Sequence, residues 1–96
     1  MNDYKSIPRN EFFVYCKRAF ESFRLSTYMT DRYLRYIEYI SQYMEDMNID
    51  YYDLNFSLAF QEKIAKADNS PNQRKSKEYS CALSLIDRFI QGLPYV

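Results

Sequence analysis

The residues of this sequence that are best suited to binding chemistry are basic, and they form two clusters. Arg32 and Arg35 lie near the start of one predicted helix, and Arg74, Lys75 and Lys77 lie near the start of another. Arginine and lysine side chains bind phosphate groups through charge and hydrogen bonds. Because helix starts also present backbone N–H groups, the two clusters indicate a surface suited to a phosphate-rich partner.

Residues beside these clusters carry further polar groups. Arg24 precedes the first cluster, and Ser26 and Tyr28 add hydroxyl groups of the kind that commonly contact phosphates or sugars. The second cluster lies beside Asn72 and Gln73 with no apolar residue nearby, so core packing does not explain it. The candidate phosphate-binding residues are Arg24, Ser26, Tyr28, Arg32, Arg35, Arg74, Lys75 and Lys77.

Catalytic chemistry has little support in the composition. The 96 residues include no histidine, which removes the usual general base and the commonest metal ligand. Gly92 is the only glycine, so the sequence contains no glycine-rich phosphate loop. We therefore predict a binding protein rather than an enzyme, with no catalytic residue, metal, cofactor or small-molecule ligand.

The composition also predicts a single soluble domain. Hydrophobic residues make up 47% of the chain and aromatic residues 19%, which is enough for one modest core. No apolar run approaches 18 residues and the N-terminus lacks a signal-peptide pattern, so we expect a cytoplasmic protein without membrane contact. Cys16 and Cys81 are expected to be small buried hydrophobes in a reducing compartment.

The helix predicted over residues 30–47 is the central element that positions the first basic cluster. Its apolar residues recur at spacings of three and four, which places them on one helix face. These residues are Tyr33, Ile37, Ile40, Met44 and Met47.

Three further helices show the same spacing of apolar residues. Their predicted core positions are Phe12, Cys16, Ala19, Phe20 and Phe23 in the first helix, Leu54, Leu58, Ala59, Phe60 and Ile64 in the third, and Tyr79, Ala82, Leu83, Ile86, Phe89 and Ile90 in the fourth. Residues 68–73 form the clearest loop, and one glycine with a following proline ends the last helix. The predicted cap residues are Ser6 for the first helix, Ser26 or Thr30 for the second, Asp53 or Asn55 for the third, Ser70 for the fourth and Gly92 at the chain's last helix end.

The net charge of zero hides a separation of charge. If consecutive helices run antiparallel, ten basic and five acidic residues gather where the first and third helices end and the second and fourth begin. The opposite end then holds three basic and eight acidic residues, and residues 36–62 contain no lysine or arginine. The sequence therefore predicts a basic end and an acidic end.

Both the charge separation and the many aromatic residues also have interpretations that involve no binding partner. A run of charge is often only a solvated surface. The many tyrosines and phenylalanines are expected to pack in the core rather than stack on bases, because they do not alternate with basic residues as in single-strand binders.

Residues 25–33 resemble the start of the second helix in the N-terminal core-binding domain of tyrosine recombinases, the phage-type integrases. In that family a Ser, a Thr three residues later and a Tyr four residues further precede a hydrophobic helix. Ser26 and Tyr33 match this pattern, whereas Met29 replaces the threonine. Residues 43–49 and 74–92 also resemble the family, so the likeness covers about residues 9–92.

The resemblance implies an all-α, SAM-like fold, in which two helical hairpins cross to form a four-helix orthogonal bundle within a single domain over residues 1–96. It also implies a non-catalytic module that packs on double-stranded DNA at a core recombination site. The catalytic Arg, His and Tyr would then belong to a separate C-terminal domain, and residues 93–96 would begin the linker to it. The isolated chain is expected to be a monomer that assembles on DNA within the full-length recombinase.

Two other functions remain open from the sequence. One is a regulator that dimerises through the apolar face of residues 33–47. The other is a small protein-interaction module with a Tyr-rich, acidic surface for a basic partner. That surface would comprise Glu45, Asp46, Asp50, Tyr51, Tyr52 and Asp53.

Overall fold

Four helices account for most of the chain in the computed structural model, which describes residues 6–93. The helices are α1 (Arg9–Ser22), α2 (Thr27–Asp46), α3 (Leu54–Ala67) and α4 (Arg74–Ile90), and a short 3₁₀ turn, Pro71–Gln73, precedes α4. The all-α class and the count of four helices are confirmed for these residues. The second and fourth helices are the longest, as the sequence predicts.

Side-chain caps confirm two of the predicted helix starts. The Ser26 hydroxyl oxygen accepts a hydrogen bond from the Met29 N–H at 3.1 Å, and an Asp53 carboxylate oxygen accepts one from the Phe56 N–H at 2.8 Å. Each cap satisfies one of the backbone donors that a helix start leaves without an intrahelical partner. Ser70 precedes the 3₁₀ turn rather than α4 itself, and regular α4 begins at Arg74 with Gln73 at its N-cap position.

The start of α1 differs from the prediction, because the residues before it form a strand. Strand β1 (Ile7–Pro8) pairs antiparallel with β2 (Tyr51–Tyr52), with Ile7 opposite Tyr52. This pairing holds residues 7 and 8 in extended conformation, so Pro8 rather than Ser6 occupies the N-cap position of α1, without a side-chain hydrogen bond to the helix. The Arg9 N–H extends the contact by donating to the Asp50 carbonyl oxygen at 2.8 Å. The start of α1 is thereby fixed beside the end of α2.

The helices form two hairpins, α1 with α2 and α3 with α4, and the second hairpin crosses the first. The Tyr79 ring near the start of α4 lies 4.5 Å from the Tyr36 ring of α2. Near the end of α4, the Phe89 ring lies 5.5 Å from Tyr15 and 5.9 Å from Phe23 on the α1 side. Because α4 passes from α2 to α1, it runs across the first hairpin rather than along one of its helices. This is the crossed arrangement that the family resemblance implies.

The core lies where the hairpins cross and contains most of the predicted apolar faces. Three predicted positions are wrong: Met47 is 57% exposed, Leu58 is 67% exposed and Ala59 is also exposed. Met47 follows the end of α2, just before the chain reverses at Asn48 with a φ of 57°. The residues with no exposed surface are Phe12, Cys16, Ala19, Phe20, Ile37, Ile40, Met44, Tyr52, Ser57, Ala82, Leu83 and Ile86.

The face that α3 buries depends on aromatic contacts that the apolar pattern does not reveal. α3 carries two apolar rows, one through Leu54 and Leu58 and one through Phe56 and Phe60. The phenylalanine row faces inward, because the Phe60 ring packs 5.3 Å from Tyr43 and the Phe56 ring packs 6.3 Å from it. Large rings contribute more buried area than leucine, which explains the choice of row.

A buried polar cluster joins β2, α3 and α4. The Tyr52 and Ser57 hydroxyls each donate a hydrogen bond of 2.6 Å to one oxygen of the Asp87 carboxylate. Burial nevertheless raises the pKa of Asp87. Asp87 therefore belongs to the core boundary rather than to a freely solvated acidic end, and Tyr52 is not available to a partner.

The end of α4 follows the predicted glycine stop. Gly92 has a φ of 74°, and the Leu93 N–H donates to the Arg88 carbonyl oxygen at 2.8 Å. This left-handed residue with a returning hydrogen bond is a common helix ending. The predicted block at Pro94 and the proposed linker over 93–96 lie outside the described residues, apart from residue 93. Within residues 6–93, every helix is too short or too polar to cross a membrane.

The same substitution, leucine to alanine, at one buried and one exposed position tests this core. We expect Leu83→Ala to lower the free energy of unfolding by about 2–5 kcal/mol, because Leu83 is fully buried and its truncation leaves a cavity. Leu58→Ala should change it by less than about 0.5 kcal/mol, because Leu58 is largely exposed. Urea unfolding followed by circular dichroism measures both. Equal losses in the two variants would contradict the inward orientation of the Phe56–Phe60 row.

Candidate nucleic-acid interface

The starts of α2 and α4 meet through one carboxylate. The Arg32 guanidinium donates from Nε to Glu78 Oε1 at 3.2 Å and from Nη2 to Glu78 Oε2 at 2.6 Å. Arg74 approaches the same Oε2 with its Nε at 3.6 Å. Two predicted phosphate-binding arginines, 42 positions apart in the sequence, therefore share Glu78.

A groove of about 480 Å³ lies beside this contact, between the start of α2 and the start of α4. We call it the α2/α4 groove. Apolar and sulfur-bearing side chains line part of it, and charged or amide side chains line the rest. The lining residues are Met29, Tyr33, Pro71 and Cys81 in the first group and Arg32, Asn72, Arg74, Lys77 and Glu78 in the second.

Two tyrosines hold Arg32 and Glu78 in place. The Tyr36 hydroxyl donates to Glu78 Oε1, and the exposed Tyr28 hydroxyl accepts from Arg32 Nη1 at 3.3 Å. The hydrogen bond from Arg32, followed by that from Tyr36, lowers the pKa of Glu78. The carboxylate hydrogen bond raises the pKa of Arg32. Both groups are therefore charged at neutral pH, and the direction of the guanidinium is fixed.

The groove gathers some of the predicted residues and separates others. Arg32, Arg74 and Lys77 line it, and Tyr28 contacts it through Arg32. Lys75 instead lines a second groove of about 570 Å³ on another side of α4. Residues two positions apart in an α-helix point in directions that differ by about 200°. This explains why Lys75 and Lys77 lie on different sides of α4.

The remaining predicted residues lie outside the α2/α4 groove. Arg24 is exposed in the turn between α1 and α2, where its φ of 59° lets the chain reverse. Ser26 caps α2, and Arg35 is exposed one turn beyond Arg32. These three residues extend the basic end around the groove without forming it.

The start of α4 is already occupied by a carboxylate from the chain itself. Asp68 Oδ2 accepts a hydrogen bond from the Ser76 N–H at 2.8 Å, and Oδ1 accepts one from the Ser70 N–H at 2.8 Å. The Ser70 hydroxyl donates to the same Oδ1 at 2.5 Å and accepts from the Lys75 N–H at 3.2 Å. The expectation that this helix start offers open N–H groups to phosphate is therefore wrong, because Asp68 takes that place.

Asp68 is the residue of this region that sequence reasoning missed. The signal was present, since Asp and Ser just before a proline and a helix are typical capping residues. Only Ser70 was assigned that role. The hydrogen bond from the Ser70 hydroxyl, followed by that from the Ser76 N–H, holds the pKa of Asp68 well below its ordinary value of 3.8.

The acidic surface proposed as an alternative site is smaller than predicted. Tyr52 is fully buried, and Asp53 is committed to capping α3. Tyr51 remains 56% exposed beside Asp50 and the end of α2.

The alternative of a dimer through the apolar face of residues 33–47 is wrong, because Ile37, Ile40 and Met44 of that face are buried in the core.

In the described part of the chain, no three His, Cys, Asp or Glu side chains are grouped so that they could hold a metal ion. Comparisons with protein-family models, with curated protein sequences and with solved structures found no match to this chain.

The role of Asp68 predicts a pH dependence of stability. Because its pKa is lower in the folded state than the ordinary 3.8, its ionised form stabilises the fold at neutral pH. That contribution should be lost as the pH falls below about 3.8 toward the folded-state pKa. We expect Asp68→Asn to unfold more easily than the wild type at pH 7, and the gap to narrow below pH 4.

Urea unfolding at pH 7, 4 and 3 measures this gap. The matched control is Asp31→Asn, at an exposed aspartate on α2, which should change the stability at pH 7 by less than about 0.5 kcal/mol. A gap between wild type and Asp68→Asn that stays constant with pH would show that the carboxylate charge does not cap α4.

Proposed function

We propose that this chain is a non-catalytic DNA-binding module of a site-specific tyrosine recombinase, and that it contacts the phosphates of duplex DNA through its basic end. The observation that carries the proposal is the α2/α4 groove. It brings Arg32, Arg74 and Lys77 from two distant stretches of sequence to one place. In this proposal the cleavage chemistry belongs to another domain. The isolated module is a monomer at low concentration, and in the cytoplasm it assembles on DNA as part of the full-length recombinase.

The charges around the groove favour an anionic partner. Arg74 and Lys77 are exposed, and the side chain of Arg74 has 74% of its surface accessible. The nearby carboxylates of Glu78 and Asp68 are both engaged in hydrogen bonds within the chain. The cations on the rim therefore exceed the anions that could repel a phosphate.

The arrangement of helices adds support. Double-stranded DNA presents a regular line of phosphates, which a convex or grooved basic face can contact at several points. The start of α2 remains suited to one of them, because Ser26 caps only the Met29 N–H and the first residues of the helix are exposed. The crossed hairpins also agree with the fold that the recombinase resemblance implies.

Salt dependence is the first test of this proposal. Glu78 already neutralises Arg32, which leaves about two phosphate contacts, from Arg74 and Lys77. The slope of log affinity against log salt should therefore be about −1.8, so affinity should fall about 12-fold between 50 and 200 mM salt. Fluorescence anisotropy of a labelled duplex of about 20 base pairs measures it. Binding that does not change with salt, or no binding at 50 mM, would contradict the proposal.

Two identical substitutions test which side of α4 faces DNA. Lys77→Glu removes a groove cation and should weaken binding at least about tenfold at low salt, with the slope reduced by about 0.9. Lys75→Glu makes the same charge change on the other side of the helix and should weaken binding less than about threefold. Equal losses would show that DNA does not distinguish the two sides.

The cysteines provide a direct footprint of the groove. Contrary to the sequence prediction, Cys81 is exposed, whereas Cys16 is buried as predicted and burial raises its pKa. A thiol reagent should therefore modify only Cys81 in the folded protein. At about 90% saturation, duplex DNA should slow this reaction about tenfold, because only the free fraction reacts.

The control places a thiol at the opposite end of the molecule. In Cys81→Ser/Tyr51→Cys, the reactive group lies at an exposed position beside the end of α2. Its rate of modification should not change when DNA is added. Protection at position 51 with none at Cys81 would place DNA on the acidic end instead.

A further inference from the structure

The α2/α4 groove has an apolar part that phosphate contacts leave unused. Met29, Tyr33 and Pro71 line it beside the three cations. Phosphates would meet the charged rim, whereas an apolar side chain is needed to exclude water from these residues. The groove therefore fits a partner that presents apolar side chains surrounded by negative charge.

A surface of that description exists at the other end of α2. Met47 is 57% exposed and Tyr51 is 56% exposed, so both offer apolar surface to a partner. Glu45, Asp46 and Asp50 surround them in the sequence and are all exposed. These five residues form the exposed tip of the acidic end, and the contacts described below involve this tip.

The groove and the acidic end cannot meet within one molecule. They lie at opposite ends of α2, which has 20 residues and is therefore about 30 Å long. A contact between them requires two copies, with the acidic end of one in the groove of the next. Such a contact is head-to-tail, since different surfaces of the two copies meet.

We propose that the α2/α4 groove binds the acidic end of a second copy of this chain. Arg74 and Lys77 would face Glu45 and Asp46 of the neighbouring copy, and Met47 would cover the apolar lining of the groove. The net charge of zero leaves no overall repulsion to oppose the association. The proposal does not rest on DNA binding, although both partners would use the same cations.

The strength of this association follows from its size and charge. A groove of about 480 Å³ accommodates only a few side chains, so the interface is small and we expect a dissociation constant on the order of 0.1–1 mM. Exposed ion pairs are screened by salt, with a screening length of about 10 Å at 0.1 M and about 3 Å at 1 M. Self-association should therefore be visible only at high protein concentration and low salt.

Charge reversal on each surface tests the proposal without DNA. Sedimentation velocity at about 1 mM protein and low salt should show association of the wild type, and about 1 M salt should abolish it. Arg74→Glu/Lys77→Glu, which reverses the groove, should be monomeric under both conditions. Glu45→Lys/Asp46→Lys, which reverses the acidic end, should also be monomeric.

The decisive sample is an equal mixture of the two reversed variants. The intact acidic end of the first variant matches the intact groove of the second, so the mixture should regain association. If Arg74→Glu lowers stability by placing a carboxylate beside Glu78, Lys77→Glu alone replaces the groove variant, since Lys77 is exposed. Urea unfolding checks that each variant is folded.

Three results would overturn the proposal. One is a wild type that stays monomeric at about 1 mM and low salt, where a contact of this size should be populated. Another is association that survives either reversal. The third is a mixture that remains monomeric, although it contains an intact groove on one variant and an intact acidic end on the other. None of these results involves DNA, so the proposed DNA contact would stand or fall separately.

Discussion

The paired hydrogen bonds between Arg32 and Glu78 are the contact on which the arrangement of the basic end depends. They join the first hairpin to the second at the point where α2 and α4 begin. A partly exposed ion pair adds little to stability in general. This pair is different in geometry, since it is bidentate and Tyr36 donates to the same carboxylate. Its main effect is to hold the Arg32 side chain against the start of α4, where both line the groove.

Carboxylates within the chain decide which positive charges remain available. Glu78 engages Arg32 and approaches Arg74, and Asp68 occupies the start of α4. An anionic partner therefore meets side chains that are already oriented, rather than a helix start with open N–H groups. Lys77 and the exposed part of Arg74 are the charges that a partner would neutralise. Preorganised groups of this kind lose less conformational entropy when they bind.

Much of the fold can be predicted from the spacing of apolar residues. The features that could not be predicted in this way have physical reasons that can be named. Local sequence is sufficient to predict the helices and their ends, because these depend on neighbouring residues. Examples are the caps at Ser26 and Asp53 and the helix end at Gly92. The burial of Tyr52 depends on an acceptor 35 positions away, Asp87, and cannot be read from neighbouring residues. At the candidate site, too, some features could be predicted from the sequence and others depend on distant contacts. Proximity of the two basic clusters could be predicted from topology, whereas which of Lys75 and Lys77 faces the groove depends on how α4 packs against α2.

The pairing of β1 with β2 has a practical consequence for how this protein is handled. It places residues 7 and 8 beside the end of α2, about 30 Å along that helix from Ser26. An affinity tag, a fluorophore or a surface tether joined directly to Ser6 would therefore attach at the end of the molecule away from the α2/α4 groove. Molecules immobilised in this way would present the basic end outward, where a ligand in solution reaches it without obstruction from the support.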